Sequence, residues 1–497
     1  MSDSASTHIP QGDETETSRP SLNNVQNGDK EAGRPMRQPD DDWAQSPHNP
    51  WNWSASKKLL QMAMLCLSAL LATIGTSIST SATAHFMEEF HISRVVAILQ
   101  LTLFVIALGV GPLVGGPLSE TVGRYPVYLV AVPAGGLFAL GAGFARNFGL
   151  LCFLRFMSGL CWAPTVSVAA GTISDVFAPS TRGFPSSIFL LICFLGPGIG
   201  PVVGSFTEVR HGWRWTQWIL AFMSVPATIL AIFTHESFRP KIQRRLEKAG
   251  KDGSAPPPPS PPIMERLRVF VNVGFIRPIQ MLFFDPIVGF ICLYVAVEFG
   301  TLFSFFAGVP YTFSKIHGFS LEQSGLIFIS VIIGCFLALI TIIFCDVLIY
   351  RKQIPKYPPH QVPPEHRLYG ALIASIGLPL GLFWYAWTAR PVISWASPAA
   401  AIIPFAWGNL CLFVSLIQYI TDTYTPSVVA SAASANSLAR YAFAGVFPLF
   451  IIQMLEAIGI GWGFSILGFA SLVLMPFPWL LYRYGARVRA RRRDAST

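Results

Sequence analysis

Long apolar stretches alternate with short polar segments along almost the whole chain. A helix that crosses a bilayer needs about 20 predominantly apolar residues. Twelve stretches meet this requirement, at residues 58–84, 95–118, 126–146, 150–175, 184–206, 214–235, 281–310, 321–346, 367–389, 396–422, 427–452 and 461–483. The pattern therefore predicts an all-α integral membrane protein with twelve transmembrane helices, numbered below as spans 1 to 12.

A polar break separates the first six spans from the last six. It is basic and contains a proline-rich run at 255–262, which is typical of an extended spacer and cannot be a span. The residues before span 1 are polar and rich in Pro, Ser, Asp and Asn, which favours disorder. We therefore predict a disordered cytoplasmic N-terminal tail, an N-terminal six-helix bundle, a cytoplasmic linker, a C-terminal six-helix bundle and a basic cytoplasmic tail, at 1–57, 58–235, 236–280, 281–483 and 484–497.

Composition and charge agree with a membrane protein, since 52% of the residues are hydrophobic and only 12% are charged. The net charge of +9 does not indicate nucleic-acid binding, because the basic residues cluster in loops between spans. With the N-terminus in the cytoplasm, the inner segments near the spans carry 23 Lys and Arg and the outer loops carry six. The positive-inside rule thus places both termini in the cytoplasm. We expect the plasma membrane, with the vacuolar membrane as the alternative.

The loop between spans 2 and 3 reads Gly-Gly-Pro-Leu-Ser-Glu-Thr-Val-Gly-Arg over residues 115–124. This resembles motif A of the major facilitator superfamily, although Tyr125 stands where a second basic residue is usual. In that family the acid interacts with the arginine and with the N-terminus of span 11, which closes the cytoplasmic side. The resemblance, with two acids at the ends of spans 4 and 10, implies a gate formed by Gly116, Glu120, Gly123, Arg124, Asp175 and Asp422.

Span 4 carries an arginine, Arg155, in a segment similar to the family's motif B. An unpaired arginine in the bilayer is costly, so it either faces a cavity and a partner or extends to the outer interface. Helical spacing places Ser158, Trp162 and Thr165 on the same face as Arg155.

Span 5 is rich in glycine and proline, and it resembles motif C, the antiporter motif. In the family this motif marks exporters that exchange their substrate for protons. The same small residues and bends also serve close helix packing alone, so both interpretations stay open. The positions that match are Gly196, Pro197, Gly200, Pro201 and Gly204.

Further matches extend the resemblance over residues 49–483. They include Asn-Pro-Trp-Asn-Trp at 49–53, Gly-Trp-Arg-Trp at 212–215, Pro-Glu-His-Arg-Leu at 364–368, and the end of span 10 with span 11. Together they resemble the fungal drug:proton antiporter branch with twelve spans, which includes polyamine, azole and cycloheximide exporters.

Glu298 lies near the middle of span 7, where an ionised carboxylate is costly unless it faces water or a cation. It shares a helical face with Tyr294, Thr301 and Phe305, an arrangement that could bind an amphipathic cation. Competition between a proton and such a substrate for Glu298 would produce antiport. The alternative is a protonated acid that hydrogen-bonds a neighbouring helix.

Other polar residues inside spans are candidates for the substrate cavity. In spans 10 and 11 they are Gln418, Asn436 and Arg440, of which Arg440 alternatively braces span 11 through a nearby acid. Span 1 carries a threonine stripe at 73, 76, 80 and 83, although hydroxyl stripes more often join helices than bind ligands.

We therefore predict a monomeric secondary transporter that exports small organic molecules in exchange for protons. Its partners are the substrate, the proton and the lipid bilayer. We expect no cofactor, no metal, no nucleic acid and no enzymatic activity, since phosphate-binding and metal-ligand motifs do not occur in the sequence. Nutrient uptake by a proton symporter or facilitator is the alternative, and a non-transporting sensor is a weaker one.

Overall fold

The computed structural model describes residues 43, 45–178, 181–248, 271–357 and 362–496. The predicted proline spacer at 255–262 and most of the predicted N-terminal tail lie outside these residues. Just before the first span the chain is folded. Asn49 caps a short 3₁₀ helix, Pro50–Asn52, by accepting a hydrogen bond from the Trp51 amide at 3.0 Å. The Trp51 indole N–H donates to the Ser174 carbonyl at 3.4 Å, which docks this segment on the end of span 4.

Twelve helices among the described residues are long and apolar enough to cross a membrane, as the sequence predicts. We number them α1 Ala55–Ile74, α2 Arg94–Val122, α3 Arg124–Gly143, α4 Phe148–Val176, α5 Gly183–His211, α6 Trp213–Phe233, α7 Pro286–His317, α8 Leu321–Lys356, α9 Tyr369–Thr388, α10 Ala396–Thr423, α11 Val428–Ile458 and α12 Ile460–Arg489. Shorter helices are Thr83–Phe90, Arg239–Lys248, the π-helix Asn272–Ile276 and Arg277–Phe284. The last helix, Phe477–Ser496, continues beyond residue 483, which is the predicted end of span 12.

Single glycines join three pairs of consecutive spans. Gly123, Gly212 and Gly459 connect α2 to α3, α5 to α6 and α11 to α12, with φ of 100°, 81° and 83°. Only glycine adopts such positive φ values readily, because it has no Cβ. These one-residue turns make each pair of helices antiparallel neighbours.

Helix α1 ends ten residues before the predicted end of span 1, since residues 75–82 form turns. The threonine stripe accounts for this difference. The Thr76 and Thr80 hydroxyls each donate to the carbonyl three residues earlier, both at 2.6 Å. Such local bonds compete with the helical pattern. The hydroxyls are therefore used by the backbone of this segment.

The two six-helix bundles meet along two helix pairs, α2 with α11 and α5 with α8. The interior of the second bundle is formed largely by α7 and α10, which have the largest buried shares among the spans, 78% and 72%. Within the first bundle α2 packs on α4, α3 on α6, and α1 on α5. The glycines of span 5 belong to this last contact.

Helix α5 lies so close to α1 and to the turns after it that three of its glycines, Gly196, Gly200 and Gly204, cannot carry side chains. A Cβ at Gly196 would lie 2.0 Å from the Thr73 hydroxyl, and one at Gly200 would lie 2.0 Å from the Ser77 hydroxyl. At Gly204 it would lie 2.0 Å from the backbone carbonyl oxygen of Ile78, which cannot rotate away. The α5 glycines are thus required for the packing of the first bundle, whatever further role they have.

We predict that Gly204→Ala lowers the melting temperature of the purified protein in detergent, because the added methyl group displaces the backbone of the turn at Ile78. Overpacking of this kind costs about 1–3 kcal/mol. The matched control is Gly183→Ala on the same helix, where a Cβ meets nothing within 4 Å. Equal melting temperatures for the two variants would contradict the packing argument.

Candidate functional site

We call the membrane side with the α2–α3, α4–α5 and α8–α9 junctions the terminal face, because the described chain begins and ends there. At this face Arg124 lies between three elements of the first bundle. Its Nε donates to Asp175 Oδ2 at 3.1 Å, and its guanidinium also contacts the Ser119 hydroxyl. The Arg124 amide donates to Glu236 Oε1 at 2.8 Å. Arg124 therefore joins α2, the end of α4 and the segment after α6.

Glu120 does not take part in this cluster, contrary to what the resemblance to motif A implies. It is exposed, and Asp175 provides the carboxylate for Arg124 instead. The reason is geometric: Gly123 turns the chain at φ 100°, and the Arg124 side chain then lies against Gly171 of α4. Gly116 lines an open space, since a Cβ there would meet nothing within 4 Å.

Glu236 is a residue of this cluster that the sequence analysis missed. It is buried and also lies 3.5 Å from Lys241 Nζ. The sequence feature that could have identified it is an acid directly after span 6, on the same side of the membrane as Arg124. The sequence analysis interprets this segment only as a basic linker.

The second bundle repeats this arrangement at the same face. Arg367, just before α9, donates from Nε to Asp422 Oδ2 at the end of α10 at 2.7 Å. It also lies 3.8 Å from Asp346 in α8. Since α9 and α10 follow α8 as α3 and α4 follow α2, the pair Arg367–Asp422 corresponds to Arg124–Asp175. Asp422 thus pairs with an arginine from the 364–368 match, and its role in a gate stays a prediction.

The opposite face carries two ion pairs that connect the bundles. Arg94 at the start of α2 lies 3.0 Å from Glu456 at the end of α11. Arg210 at the end of α5 lies 3.6 Å from Glu322 at the start of α8. Each pair joins an arginine of the first bundle to a glutamate of the second, on the two helix pairs along which the bundles meet. These contacts join the two bundles at the opposite face.

A cavity of about 150 Å³ lies between the bundles near the terminal face. The first bundle contributes the start of α5, and the second contributes α8, the α8–α9 junction and α10. Its wall includes Ser187 of α5, Tyr350 of α8, and Ser415 and Gln418 of α10. Gln418, one of the predicted cavity residues, therefore lines this open space, and its contact with a substrate stays a prediction.

Arg155 is buried inside the first bundle and does not extend to the interface. Its Nε donates to Gln100 Oε1 at 3.1 Å, and its Nη2 donates to the Gly75 carbonyl at 2.7 Å. The guanidinium carbon also lies 4.4 Å from the centre of the Phe104 ring. The turn after α1 thus supplies a carbonyl that a regular helix would have used internally.

Trp162 shares the α4 face with Arg155 but is a packing residue. It is fully buried, and its indole N–H donates to the Val132 carbonyl of α3 at 3.1 Å. Its ring fills the space left by the absent side chain of Gly135. This part of the face therefore holds α3 and α4 together.

The predicted face of α7 turns into the second bundle and away from the first. Phe305 packs against rings of α9, α10 and α12, and Tyr294 packs against Phe477 at 6.4 Å between ring centres. Glu298 is 1% exposed and lies near Ser471 of α12, yet neither carboxylate oxygen makes a well-formed hydrogen bond with a described residue. The Thr301 hydroxyl donates to the Val297 carbonyl of its own helix at 2.8 Å.

Arg440 of α11 occupies a different position, at the seam between the bundles, where Phe413 contacts both its guanidinium and helix α5. Asn436 lies one turn earlier on α11, near the Cys292 thiol of α7. Both residues are buried, and each has a side-chain nitrogen without a well-formed hydrogen bond to a described residue. The structure thus places Glu298 within the second bundle and Arg440 at the seam.

Two six-helix bundles with a cavity between them on one side, and with ion pairs between them on the other, define a secondary transporter. The family model of the Major Facilitator Superfamily matches residues 65–448. The chain belongs to this superfamily.

Similar proteins are fungal. Polyamine transporter 4 of Saccharomyces cerevisiae is 32% identical over 97% of this chain and 77% of its own length. The multidrug transporter mdrA of Aspergillus fumigatus is 36% identical, over 90% of this chain and 74% of its own. Efflux pump FUB11 of Gibberella moniliformis is 34% identical, over 87% and 73%. The proton:xylose symporter XylE, at 16% identity and a TM-score of 0.59 over 86% of this chain and 97% of its own, shares the fold.

We predict that the double variant Glu322→Gln with Glu456→Gln favours the conformation that is open at the opposite face. Exposed ion pairs contribute about 0.2–1 kcal/mol each, so removing both pairs shifts the ratio of the two conformations about two- to thirtyfold. Spin labels on cysteines introduced at the exposed positions Val95 and Ile458 report the distance between α2 and α11.

The control for this prediction exchanges the charges of one pair, Arg94→Glu with Glu456→Arg, which retains the attraction. Its distance distribution should match that of the labelled parent protein. Identical distributions for the parent and the double glutamine variant would show that the ion pairs do not hold this face closed.

Proposed function

We propose that this chain exports small organic molecules in exchange for protons by alternating access. The observation that carries the proposal is the asymmetry between the two faces. The bundles are joined by ion pairs at the opposite face, whereas residues of both bundles line a cavity of about 150 Å³ near the terminal face. Rocking of the bundles about the α2–α11 and α5–α8 contacts would break these ion pairs and open the other side.

Export is proposed over uptake because of the relatives. A multidrug transporter and efflux pumps of fungi are 34–36% identical to this chain. The α5 segment that resembles the antiporter motif supports the same direction, although its glycines also have the packing role described above. The relatives and the resemblance suggest four substrate classes, which are drugs, toxins, polyamines and secondary metabolites.

Glu298 is the proposed proton site. It is a fully buried acid in α7, with neither carboxylate oxygen well hydrogen-bonded by the described residues. An ionised carboxylate in such surroundings is costly, so its charge state depends on whether water reaches it as the bundles move. Because it faces α12 and not the seam, we propose that the proton acts by changing the packing of α7, rather than by competing directly with the substrate.

We propose that the terminal face and both termini lie in the cytoplasm. Along the sequence, the segments next to the spans on that side carry 23 Lys and Arg, and the outer loops carry six, which supports this orientation. A monomer in the plasma membrane is the arrangement that we propose, and localisation of a fluorescent fusion distinguishes it from the vacuolar membrane.

We predict that Glu298→Gln abolishes proton-driven transport while leaving the protein folded, because the amide has nearly the same shape but does not titrate. Vesicles with an acidic lumen, oriented with the terminal face outside, are tested with labelled cationic, neutral and anionic compounds. Uptake into the lumen should require the pH gradient and should fall at least about tenfold in the variant.

The matched control is Glu88→Gln, which changes an exposed acid of the short helix Thr83–Phe90. Its transport should equal that of the wild type. Transport that persists in the presence of an uncoupler would rule out antiport, and unchanged pH-driven transport in Glu298→Gln would remove Glu298 from the coupling role. Movement only in the opposite direction would favour nutrient uptake.

A further inference from the structure

The guanidinium of Arg440 lies among three aromatic rings. Its central carbon is 4.8 Å from the ring centre of Phe299, 4.6 Å from that of Phe413 and 4.5 Å from that of Tyr441. The residue is 8% exposed. The rings interact with the faces of the planar cation, and the N–H donors at its edge need acceptors of another kind.

No carboxylate or other acceptor within the described part of the chain hydrogen-bonds this guanidinium, and its Nε is buried without a partner. Arg155 shows the contrast, because Gln100 and the Gly75 carbonyl accept from it. A buried arginine without acceptors is costly, and a ligand that supplies them removes this cost. Arg440 is therefore a cation without a counterion among the residues that the structure describes.

A second unsatisfied donor lies one helical turn before Arg440. Asn436 is 1% exposed, and its Nδ2 makes no well-formed hydrogen bond with a described residue, although its side chain lies near the Cys292 thiol of α7. Residues four apart lie on the same face of a helix. Two unpaired donor groups thus lie next to each other on one face of α11.

The ring cluster connects this face to the first bundle. Phe194 of α5 packs against Phe299 at 5.9 Å and against Phe413 at 5.2 Å between ring centres. Glu298 precedes Phe299 in α7, but its carboxylate lies near Ser471 of α12 and does not pair with Arg440. The unpaired positive charge therefore lies at the seam between the bundles, where a bound molecule would contact both.

We propose that Arg440 and Asn436 bind the carboxylate of a transported aromatic organic acid. A carboxylate matches the fork of the guanidinium and accepts two parallel hydrogen bonds. The rings of Phe299, Phe413 and Tyr441 provide an apolar surface for the body of the molecule. The inference narrows the proposed function to anionic substrates, and it rests on that function only for the step from binding to transport.

The test uses the purified full chain in lipid nanodiscs and three probes of the same size: 2-naphthoate, 2-naphthamide and 2-naphthylmethylammonium. Binding is measured by calorimetry at low salt. We expect the wild type to bind 2-naphthoate more tightly than the neutral and cationic probes. Arg440→Gln should lower the affinity for 2-naphthoate at least about tenfold, to the affinity for 2-naphthamide.

Two further variants separate binding from folding. Arg440→Lys keeps the charge but not the planar fork, so we expect an intermediate loss of 2-naphthoate affinity, with an unchanged size-exclusion profile. The matched control Arg146→Gln removes an exposed arginine of the α3–α4 loop and should leave all three affinities unchanged.

The inference is overturned if the wild type does not prefer 2-naphthoate, or if Arg440→Gln binds it as tightly as the wild type. The first comparison needs no variant, so it stands even if the substitutions prevent folding. These binding results do not depend on a pH gradient. A failure of proton-driven transport in vesicles would therefore reject the proposed function and leave the anion site standing.

Discussion

Burial of charge constrains this structure more than any other interaction. In the membrane interior no bulk water is available, so each buried ionic group must be satisfied by the protein, by a ligand or by a proton. Three groups show the three solutions. Arg155 donates from Nε and Nη2 to the amide oxygen of Gln100 and the Gly75 carbonyl, Arg440 has aromatic rings but no acceptor among the described residues, and Glu298 has no well-formed hydrogen bond. We assign transport roles to Arg440 and Glu298.

The same constraint explains the turn that ends α1. A carbonyl within a regular helix accepts from its own helix and is not free for a distant side chain. The hydroxyls of Thr76 and Thr80 stabilise turns over residues 75–82, and the Gly75 carbonyl becomes the acceptor for Arg155. A break in one span thus supports a buried charge in another.

The motifs at the terminal face have a structural meaning that follows from the repeat of the two bundles. Arg124 pairs with Asp175, and Arg367 pairs with Asp422, each connecting the start of one span to the end of the next. These pairs lie within a bundle, whereas the ion pairs at the opposite face lie between bundles. The first kind keeps each bundle rigid, and the second kind can separate when the bundles move.

The sequence by itself determined the twelve spans, the two bundles and the superfamily, because long apolar stretches and loop motifs are local properties of the chain. It also identified Arg155, Glu298, Asn436 and Arg440, since polar residues inside spans are conspicuous. Tertiary structure decided which groups the charged residues contact. Arg124 pairs with Asp175 and not with Glu120, and Glu298 faces α12 and not the seam. Helical spacing shows which residues share a face, but the rotation of each helix against its neighbours depends on packing across the whole bundle.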